Sequence, residues 1–227
     1  MNKLFLFGVF IIAIVLMSFI SVKKKKKIVF FGDSITQAAV KPKGFITLIN
    51  DRLQHDGNHD YELVGKGISG NKVYDLYLRM DDDVLAQSPD IVVIYVGVND
   101  VWHKKSFGTG TDADKFEKFY RAIIKKIQAD NAKVVLVTPA TIGEKYDEQN
   151  PLGLDTDLDK YCDIIRKIAA DNNLPLVDFR KIFMNYEKAH NSNNADRGIL
   201  TVDGVHFNDA GNALAADEMW KVIQEVK

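Results

Sequence analysis

The ten residues "IVFFGDSITQ", residues 28–37, join a strand-like run to a helix-like one and decide how the chain is interpreted. The apolar residues at the start of this stretch follow one another without polar residues between them, which is typical of a parallel strand buried on both faces. Gly32 then allows a tight turn, and Ser34 stands at the start of the helix. Ser34 can therefore be a helix N-cap. It can also be a nucleophile, because ligands of open α/β sheets bind beyond the carboxyl ends of the strands.

Strand-like and helix-like patterns alternate along the rest of the chain. Five continuous apolar runs predict parallel strands, and amphipathic stretches between them predict the crossing helices. The predicted strands are 27–31, 61–65, 90–96, 133–137 and 174–179, and the predicted helices are 45–54, 112–130, 158–172 and 209–226. The polar stretch 146–157 predicts a surface loop. An α/β fold of one domain, an open sandwich around a five-stranded parallel sheet, follows.

Charge and cysteine content exclude several classes of protein. The net charge of the 227 residues is −1, but residues 1–27 carry six lysines and no acid, so the remainder has 24 basic and 31 acidic residues. A domain this acidic is not expected to bind nucleic acid, whose affinity comes from cations that neutralise phosphates. The single cysteine, Cys162, excludes an internal disulfide and a cysteine metal site, and its helical context predicts a packing role.

The amino terminus differs from the rest of the chain. Residues 4–22 are uncharged and mostly apolar, and they are just long enough to span a bilayer. We interpret residues 1–22 as a signal peptide or membrane anchor, 23–27 as a lysine collar and 28–227 as the folded domain. Export to the periplasm or cell envelope is expected, with anchoring through 4–22 as the alternative to cleavage.

The stretch "GKGISG", residues 65–70, matches the G-x-G-x-x-G pattern of dinucleotide-binding proteins. That fingerprint belongs to the first strand-to-helix turn and needs an acid at the end of the next strand. This turn is the second, and Asp90 begins the next strand. We therefore favour Gly70 as a bare backbone donor beside a ligand, with a simple turn glycine as the alternative. Ser69 is the rival nucleophile in this block.

Two later stretches carry further polar groups. "GVND" (97–100) brings the amide of Asn99 to the end of the third strand, unless it merely forms a turn. In "DGVHFN" (203–208) the carboxylate of Asp203 can accept from Nδ1–H of His206 and leave Nε2 free as a base. The alternative is a solvated aspartate beside an unrelated histidine. The other histidines show no such partner spacing, and no metal-binding spacing occurs, so no metal is predicted.

These stretches together supply a nucleophile, a base, an orienting acid and oxyanion donors. "GDSITQ", "GISGN", "GVND" and "DGVHFN" resemble, in that order, the four blocks of the GDSL, or SGNH, hydrolase family, across residues 28 to about 212. Lys66 stands where many members carry asparagine. The G-x-S-x-G string of α/β-hydrolases does not occur.

The resemblance implies a three-layer α/β/α, flavodoxin-like sandwich and ester hydrolysis without metal or cofactor. It implies that Ser34 attacks the carbonyl, that His206 is the base and that Asp203 orients it. The implied oxyanion hole consists of the backbone N–H groups of Ser34 and Gly70 and the side chain of Asn99.

We therefore expect a metal-independent serine esterase for short acyl groups, with O-acetyl groups on carbohydrate favoured. A lysophospholipase or thioesterase of the same fold is one alternative, and a non-catalytic carbohydrate- or lipid-binding module is the other. Segments 101–110 and 139–157 are expected to wall the substrate pocket. Asp33, Trp102 and His103 are its candidate contacts, with plain packing as the alternative for Trp102. The oligomeric state is left open.

Overall fold

The sheet has five parallel strands, as predicted. The computed structural model describes residues 24–145 and 154–226; the segment 1–22 and most of the predicted loop 146–157 lie outside them. The strands are β1 Lys26–Gly32, β2 Tyr61–Gly67, β3 Ile91–Tyr95, β4 Lys133–Val137 and β5 Leu176–Val177. They pair in the order β2-β1-β3-β4-β5. This is the flavodoxin-like order, so the predicted fold class is confirmed.

Helices cover both faces of the sheet. They are α1 Ser34–Ala38, α2 Phe45–His55, α3 Val73–Asp83, α4 Val98–Phe107, α5 Ala113–Ala129, α6 Leu154–Asp171, α7 Phe179–His190 and α8 Asp209–Ile223, with a short 3₁₀ turn at Leu85–Gln87. Helices α2 and α8 pack together, as do α3 and α5, and α5 and α6. The side chains of β1, β3 and β4 are almost fully buried between these layers, which explains their continuous apolar runs.

Three helices were absent from the prediction. Leu78 of α3 is 77% exposed and breaks the amphipathic pattern of that helix. Helix α4 buries four residues in succession, 98–101, and exposes its second half, so it has no helical period. Helix α7 begins at Phe179, inside the predicted last strand, because the carboxylate of Asp178 accepts from the backbone N–H of Lys181.

Several boundaries also differ from the prediction. Strand β1 begins at Lys26, so two lysines of the predicted collar belong to the sheet. Helix α6 begins at Leu154, so the end of the predicted surface loop is helical. Cys162 is buried in α6, as its pattern predicts. None of the helices within residues 24–145 and 154–226 is long and apolar enough to cross a membrane.

The strand order fixes where a ligand can bind. After β1 the chain moves outward to β2, and after β2 it returns to the other side of β1 to form β3. The loops that follow β1 and β3 therefore diverge and leave a crevice between them, at the topological switch point of the sheet. Gly32 and Tyr95, the last residues of these strands, pair directly. Ser34 and Asn99 follow them within a few residues.

Candidate active site

Ser34 is the first residue of α1, and its hydroxyl faces a histidine. The N-cap interpretation of Ser34 is wrong, because the cap is Asp33, whose carboxylate accepts from the backbone N–H of Ile35 at 3.0 Å. The Ser34 hydroxyl is consequently free for another partner. Its Oγ lies 2.9 Å from Nε2 of His206, across 172 residues of chain.

His206 is held from its other ring nitrogen by Asp203. The distance from Nδ1 to Oδ2 of Asp203 is 2.7 Å, while Oδ1 accepts from the backbone N–H groups of Val205 and His206 at 3.0 and 2.8 Å. A carboxylate at Nδ1 favours the tautomer that carries its proton there, which leaves Nε2 as the acceptor facing Ser34. Partial burial raises the pKa of Asp203, but the hydrogen bonds from His206 and Val205 outweigh it and hold that pKa below its usual value.

Three hydrogen-bond donors follow closely after β1, β2 and β3. Asn99 is 2% exposed, and its Nδ2 donates one hydrogen to the carbonyl of Asn71 at 3.1 Å, which leaves the second hydrogen for another acceptor. The backbone N–H groups of Ser34 and Gly70 donate to no other group among the described residues. Unengaged donors of this kind suit a developing negative charge.

The glycines of "GKGISG" have a packing role rather than a dinucleotide-binding one. Gly65 and Gly67 lie within β2, not in a phosphate-binding turn. A Cβ on Gly67 would overlap the backbone of Thr36 and Gln37 in α1. The missing side chain therefore allows α1, with Ser34 at its start, to lie directly against the edge strand.

The three candidate pocket residues lie in different environments. Asp33 is 2% exposed and caps α1. It is therefore not the open substrate contact that the sequence suggested. Trp102 packs partly on the core, in keeping with the packing alternative. His103 is half-buried beside Gly70, with its Cε1 3.9 Å from where a Cβ of Gly70 would stand. Burial, with Lys72 nearby, lowers the pKa of His103.

Burial dominates the acid chemistry directly beneath the site. It raises the pKa of Asp33 to about 7, and the neighbouring carboxyl of Asp100 contributes in the same direction. Asp100 itself is fully buried, and burial likewise raises its pKa to about 7 although it accepts from the backbone N–H of Val73. Near neutral pH Asp33 is therefore partly protonated, whereas the lowered pKa of Asp203 keeps that carboxylate ionised.

No sequence pattern singled out Arg79, whose side chain links the loops of the site by hydrogen bonds. Its guanidinium donates to the carbonyls of Gly32 and Lys66 at 2.7 and 3.1 Å and to the side chain of Asn71 at 2.7 Å. It also pairs with Asp83 at 2.6 Å. Arg79 thus links the ends of β1 and β2 to the loop that Asn99 contacts. Its place in α3 gives no hint of its bonds to Gly32, Lys66 and Asn71, since these three residues lie outside that helix.

Metal ligands do not converge anywhere in residues 24–145 and 154–226: no group of three or more histidine, cysteine, aspartate or glutamate side chains could hold an ion there. The arrangement around Ser34 and His206 depends on hydroxyl, imidazole, carboxylate and amide groups.

Ser69 is exposed, and its backbone N–H donates to the side chain of Gln37 at 3.2 Å. Nε2 of His206 faces Ser34 rather than this rival.

Known proteins with similar sequences are esterases. An acetylxylan esterase from Geobacillus stearothermophilus is 30% identical over 207 residues, which is 84% of this chain and 90% of that enzyme. An isoamyl acetate-hydrolyzing esterase of Saccharomyces cerevisiae is 24% identical over 225 residues, 88% of this chain and 86% of that enzyme.

Similar solved structures have the same fold. The crystal structure of an acetyl xylan esterase, AlAXEase, is 60% identical, covers 87% of this chain and 99% of its own, and superposes with a TM-score of 0.85. Catalytic mutants of the Geobacillus acetylxylan esterase, 27–28% identical to this chain with a TM-score of 0.77, replace a serine, a histidine and an aspartate by alanine; that aspartate lies three positions before the histidine.

A model of the GDSL-like lipase/acylhydrolase family matches residues 30–214, which span the whole arrangement from β1 to α8. This agrees with the resemblance carried by the four sequence blocks. The chain belongs to the GDSL-like lipase/acylhydrolase family of carboxylic ester hydrolases.

Proposed function

We propose that this esterase removes acetyl groups from an acetylated xylan-type carbohydrate, with Ser34 as nucleophile, His206 as general base and Asp203 as the acid that orients it. The 2.9 Å approach of Ser34 Oγ to His206 Nε2, with Asp203 behind the ring, is the observation that carries the assignment. The spacing of Asp203 and His206 matches that of the aspartate and histidine changed in catalytic mutants of the Geobacillus enzyme.

The proposed reaction has two halves. Ser34 Oγ attacks the ester carbonyl while its proton passes to Nε2 of His206, which then gives that proton to the departing sugar hydroxyl. Water, deprotonated by the same nitrogen, attacks the acetyl-enzyme and releases acetate, and the proton returns to Ser34. Asp203 holds the ring and stabilises the imidazolium formed in each half.

The negative charge that develops on the carbonyl oxygen needs donors in place before it forms. The backbone N–H groups of Ser34 and Gly70 and the second amide hydrogen of Asn99 are proposed for this role. Asn99 is oriented by its bond to the carbonyl of Asn71, so its orientation costs little reorganisation when the charge appears. Loss of one such donor typically costs about 10²–10³ in kcat.

An acetylated carbohydrate is the favoured substrate because two similar proteins act on acetylated xylan. One of them is 60% identical to this chain over 87% of its length. A short acyl group also suits the site, since His103 and Gly70 lie close together beside the proposed oxyanion hole. The half-buried imidazole of His103, on α4, is proposed to contact the sugar.

Acetate release from acetylated xylooligosaccharides by the purified protein tests the proposal. Wild-type protein is expected to release acetate, and Ser34→Ala to lose about 10⁴-fold or more in kcat. Ser69→Ala is the matched control, since Ser69 is an exposed serine in the neighbouring block, and it is expected to retain activity. Full activity in Ser34→Ala would contradict the mechanism, and preference for octanoyl over acetyl esters would contradict the substrate.

A further inference from the structure

Glu144 is a fully buried carboxylate whose hydrogen bonds all reach into the segment just before Asp203. Its Oε2 accepts from the backbone N–H of Ile199 at 2.7 Å. Its Oε1 accepts from the backbone N–H groups of Leu200 and Thr201 at 2.7 and 2.5 Å, and from the hydroxyl of Thr201 at 2.7 Å. Four donors meet about four lone-pair sites, which is what an ionised carboxylate accommodates.

The hydroxyl of Thr201 passes this contact on to the turn that carries Asp203 and His206. It donates to Glu144 and accepts from the backbone N–H of Gly204 at 3.0 Å. Gly204 follows Asp203 directly, and its carbonyl accepts from the backbone N–H of Gly143 at 2.8 Å. Gly204 has φ +93 and packs against Gly143, so the turn needs a glycine there.

The other end of the turn is closed by backbone bonds. The N–H of Val202 donates to the carbonyl of His206 at 2.8 Å, and Thr201 and Phe207 form an isolated antiparallel bridge. Asp203, Gly204, Val205 and His206 therefore form a short loop whose base is fixed at Thr201. Any shift of Thr201 is transmitted to both ends of this loop.

Burial makes the contact costly to disturb. Glu144, Thr201 and Gly204 are all buried, and a buried polar group that loses its partner pays the full desolvation cost of that group. Removing the Glu144 carboxylate would leave several buried N–H donors unpaired. The observed arrangement satisfies these buried groups, and in it His206 Nε2 lies opposite Ser34.

We propose that Glu144 is a positioning residue, which acts through the hydroxyl of Thr201 to hold the Asp203–His206 loop in line with Ser34. This inference rests on the proposed function, because its effect on rate requires His206 to be the base. Neither residue contacts the reacting atoms; both act through the loop. The separation of Glu144 from Thr201, 57 residues in sequence, hides the connection from sequence patterns.

The hydroxyl can be removed and restored with little change of volume. Thr201→Val keeps the shape but loses both hydroxyl bonds, whereas Thr201→Ser keeps them and is the matched control. Folded Thr201→Val is expected to lose between about tenfold and a hundredfold in kcat, the effect of misplacing a catalytic group by a fraction of an ångström to an ångström. KM is expected to stay within about twofold of the wild-type value, and Thr201→Ser to restore kcat.

Proton NMR provides a readout that does not depend on a substrate. The Nδ1 proton of His206 in its bond to Asp203 is expected to give a downfield resonance in wild type and Thr201→Ser, and a broadened or shifted one in Thr201→Val. If Thr201→Val does not fold, Glu144→Gln is tested instead. Its amide NH₂ replaces only the oxygen that accepts from the N–H of Ile199, while the other oxygen is kept. This variant is expected to lower kcat about tenfold and to change the same resonance.

Unchanged kcat per folded molecule together with an unchanged resonance in Thr201→Val would overturn the inference. So would a loss of stability alone, with normal kcat in the fraction that remains folded. A wild-type protein without esterase activity would instead contradict the proposed function. The NMR comparison of Thr201→Val with Thr201→Ser would still decide whether Thr201 holds the loop.

Discussion

At the scale of single residues, two aspartates near the same histidine have opposite environments. Asp203 is partly exposed and accepts three hydrogen bonds from the 205–206 turn, and its pKa is lowered. Asp33 is 2% exposed, and burial raises its pKa to about 7. Carboxyl groups whose pKa values are pushed apart can take different roles at one pH. Asp203 suits the orienting acid, whereas Asp33 caps α1.

The raised pKa of Asp33 predicts a pH dependence of stability. The folded protein binds this proton more tightly than the unfolded chain, whose carboxyl has the ordinary aspartate pKa of 3.8. The resulting stabilisation is complete below about 4 and is lost as the pH rises toward about 7, by on the order of 1.4 kcal/mol for each pKa unit. Asp100 is expected to add a loss in the same pH range.

Asp33→Asn removes the titration and keeps an oxygen that can accept from Ile35. We expect the free energy of unfolding of this variant to fall less steeply than that of wild type between about pH 4 and pH 7. Urea unfolding at several pH values measures the slope. Asp51→Asn, on the exposed side of α2, is the control. Equal slopes in wild type and Asp33→Asn would show that Asp33 does not titrate in this range.

Sequence patterns predict local chemistry at this scale but miss long-range partners. The spacing of Asp203 and His206 correctly predicted their hydrogen bond, because three residues of one turn decide it. The cap at Asp33 decides that Ser34 is free, yet the sequence suggested Asp33 as a candidate substrate contact. The burial of that carboxyl depends on α1 lying against β2, which the local sequence does not contain.

At the scale of elements, the position of α1 depends on its contacts with β2 and on Arg79 of α3. The bare backbone of Gly67 lets α1 approach the edge strand. Arg79 then donates to the carbonyl of Gly32 at 2.7 Å and to the side chain of Asn71 at 2.7 Å, and its guanidinium lies 4.5 Å from the centre of the Phe31 ring. One planar group thus holds the loops on both sides of the proposed oxyanion hole.

Arg79→Lys is expected to weaken this link, because an ammonium cannot reproduce the fork of donors or the stacking on Phe31. We expect a loss of about 1–3 kcal/mol in the free energy of unfolding, since buried acceptors lose their donors. We also expect kcat/KM to fall about tenfold as the Asn71–Asn99 contact shifts. Urea unfolding and esterase kinetics measure the two effects.

Arg52→Lys is the matched control for Arg79→Lys. Arg52 pairs with Asp217 between α2 and α8, where both side chains are about half exposed. Exposed ion pairs contribute little, so its stability should stay within about 0.5 kcal/mol of wild type. If Arg79→Lys behaves like Arg52→Lys, the proposed link between the loops is wrong.

Sequence patterns predicted the strands better than the helices for a physical reason. Strands β1, β3 and β4 are buried on both faces, so their composition alone distinguishes them. Helix α3 was missed because the exposed Leu78 breaks its apolar pattern, and α4 because it buries four residues in succession. Helix α7 was missed because the cap at Asp178 starts it inside the predicted last strand. In α4, the carbonyl of Asp100 accepts from Thr111, and the buried side chain of Asn99 contacts another loop.

At the scale of the whole molecule, the sheet brings distant parts of the chain to one crevice. The order β2-β1-β3-β4-β5 places the loops after β1 and β3 side by side. Helix α8 packs on α2, and the backbone N–H of Phe45 at the start of α2 donates to the side chain of Asn212 in the first turn of α8 at 3.0 Å, so the loop that precedes α8 lies near the loop that precedes α2. This arrangement brings His206 to Ser34 across 172 residues. The order of the four sequence blocks predicted this meeting, because each block follows a strand or precedes the last helix.

The location of the protein stays a prediction at this scale. Residues 1–22 lie outside the described part of the chain, and the described part begins at the amino end of β1, opposite the crevice. Anchoring through 4–22 would attach the domain at the end opposite the crevice, whereas export followed by cleavage would leave the domain unattached. Cell fractionation with amino-terminal sequencing separates the two, and full-length protein in the cytosol would contradict both.

The central claim is that His206 activates the Ser34 hydroxyl. The most direct measurement treats the purified protein with an organophosphorus reagent and locates the modified residue by mass spectrometry. Only an activated serine should react, so we expect a single label, on Ser34. In His206→Ala we expect the rate of this labelling to fall by about 10³-fold or more. Label on Ser69, or unchanged labelling of Ser34 without His206, would contradict the account.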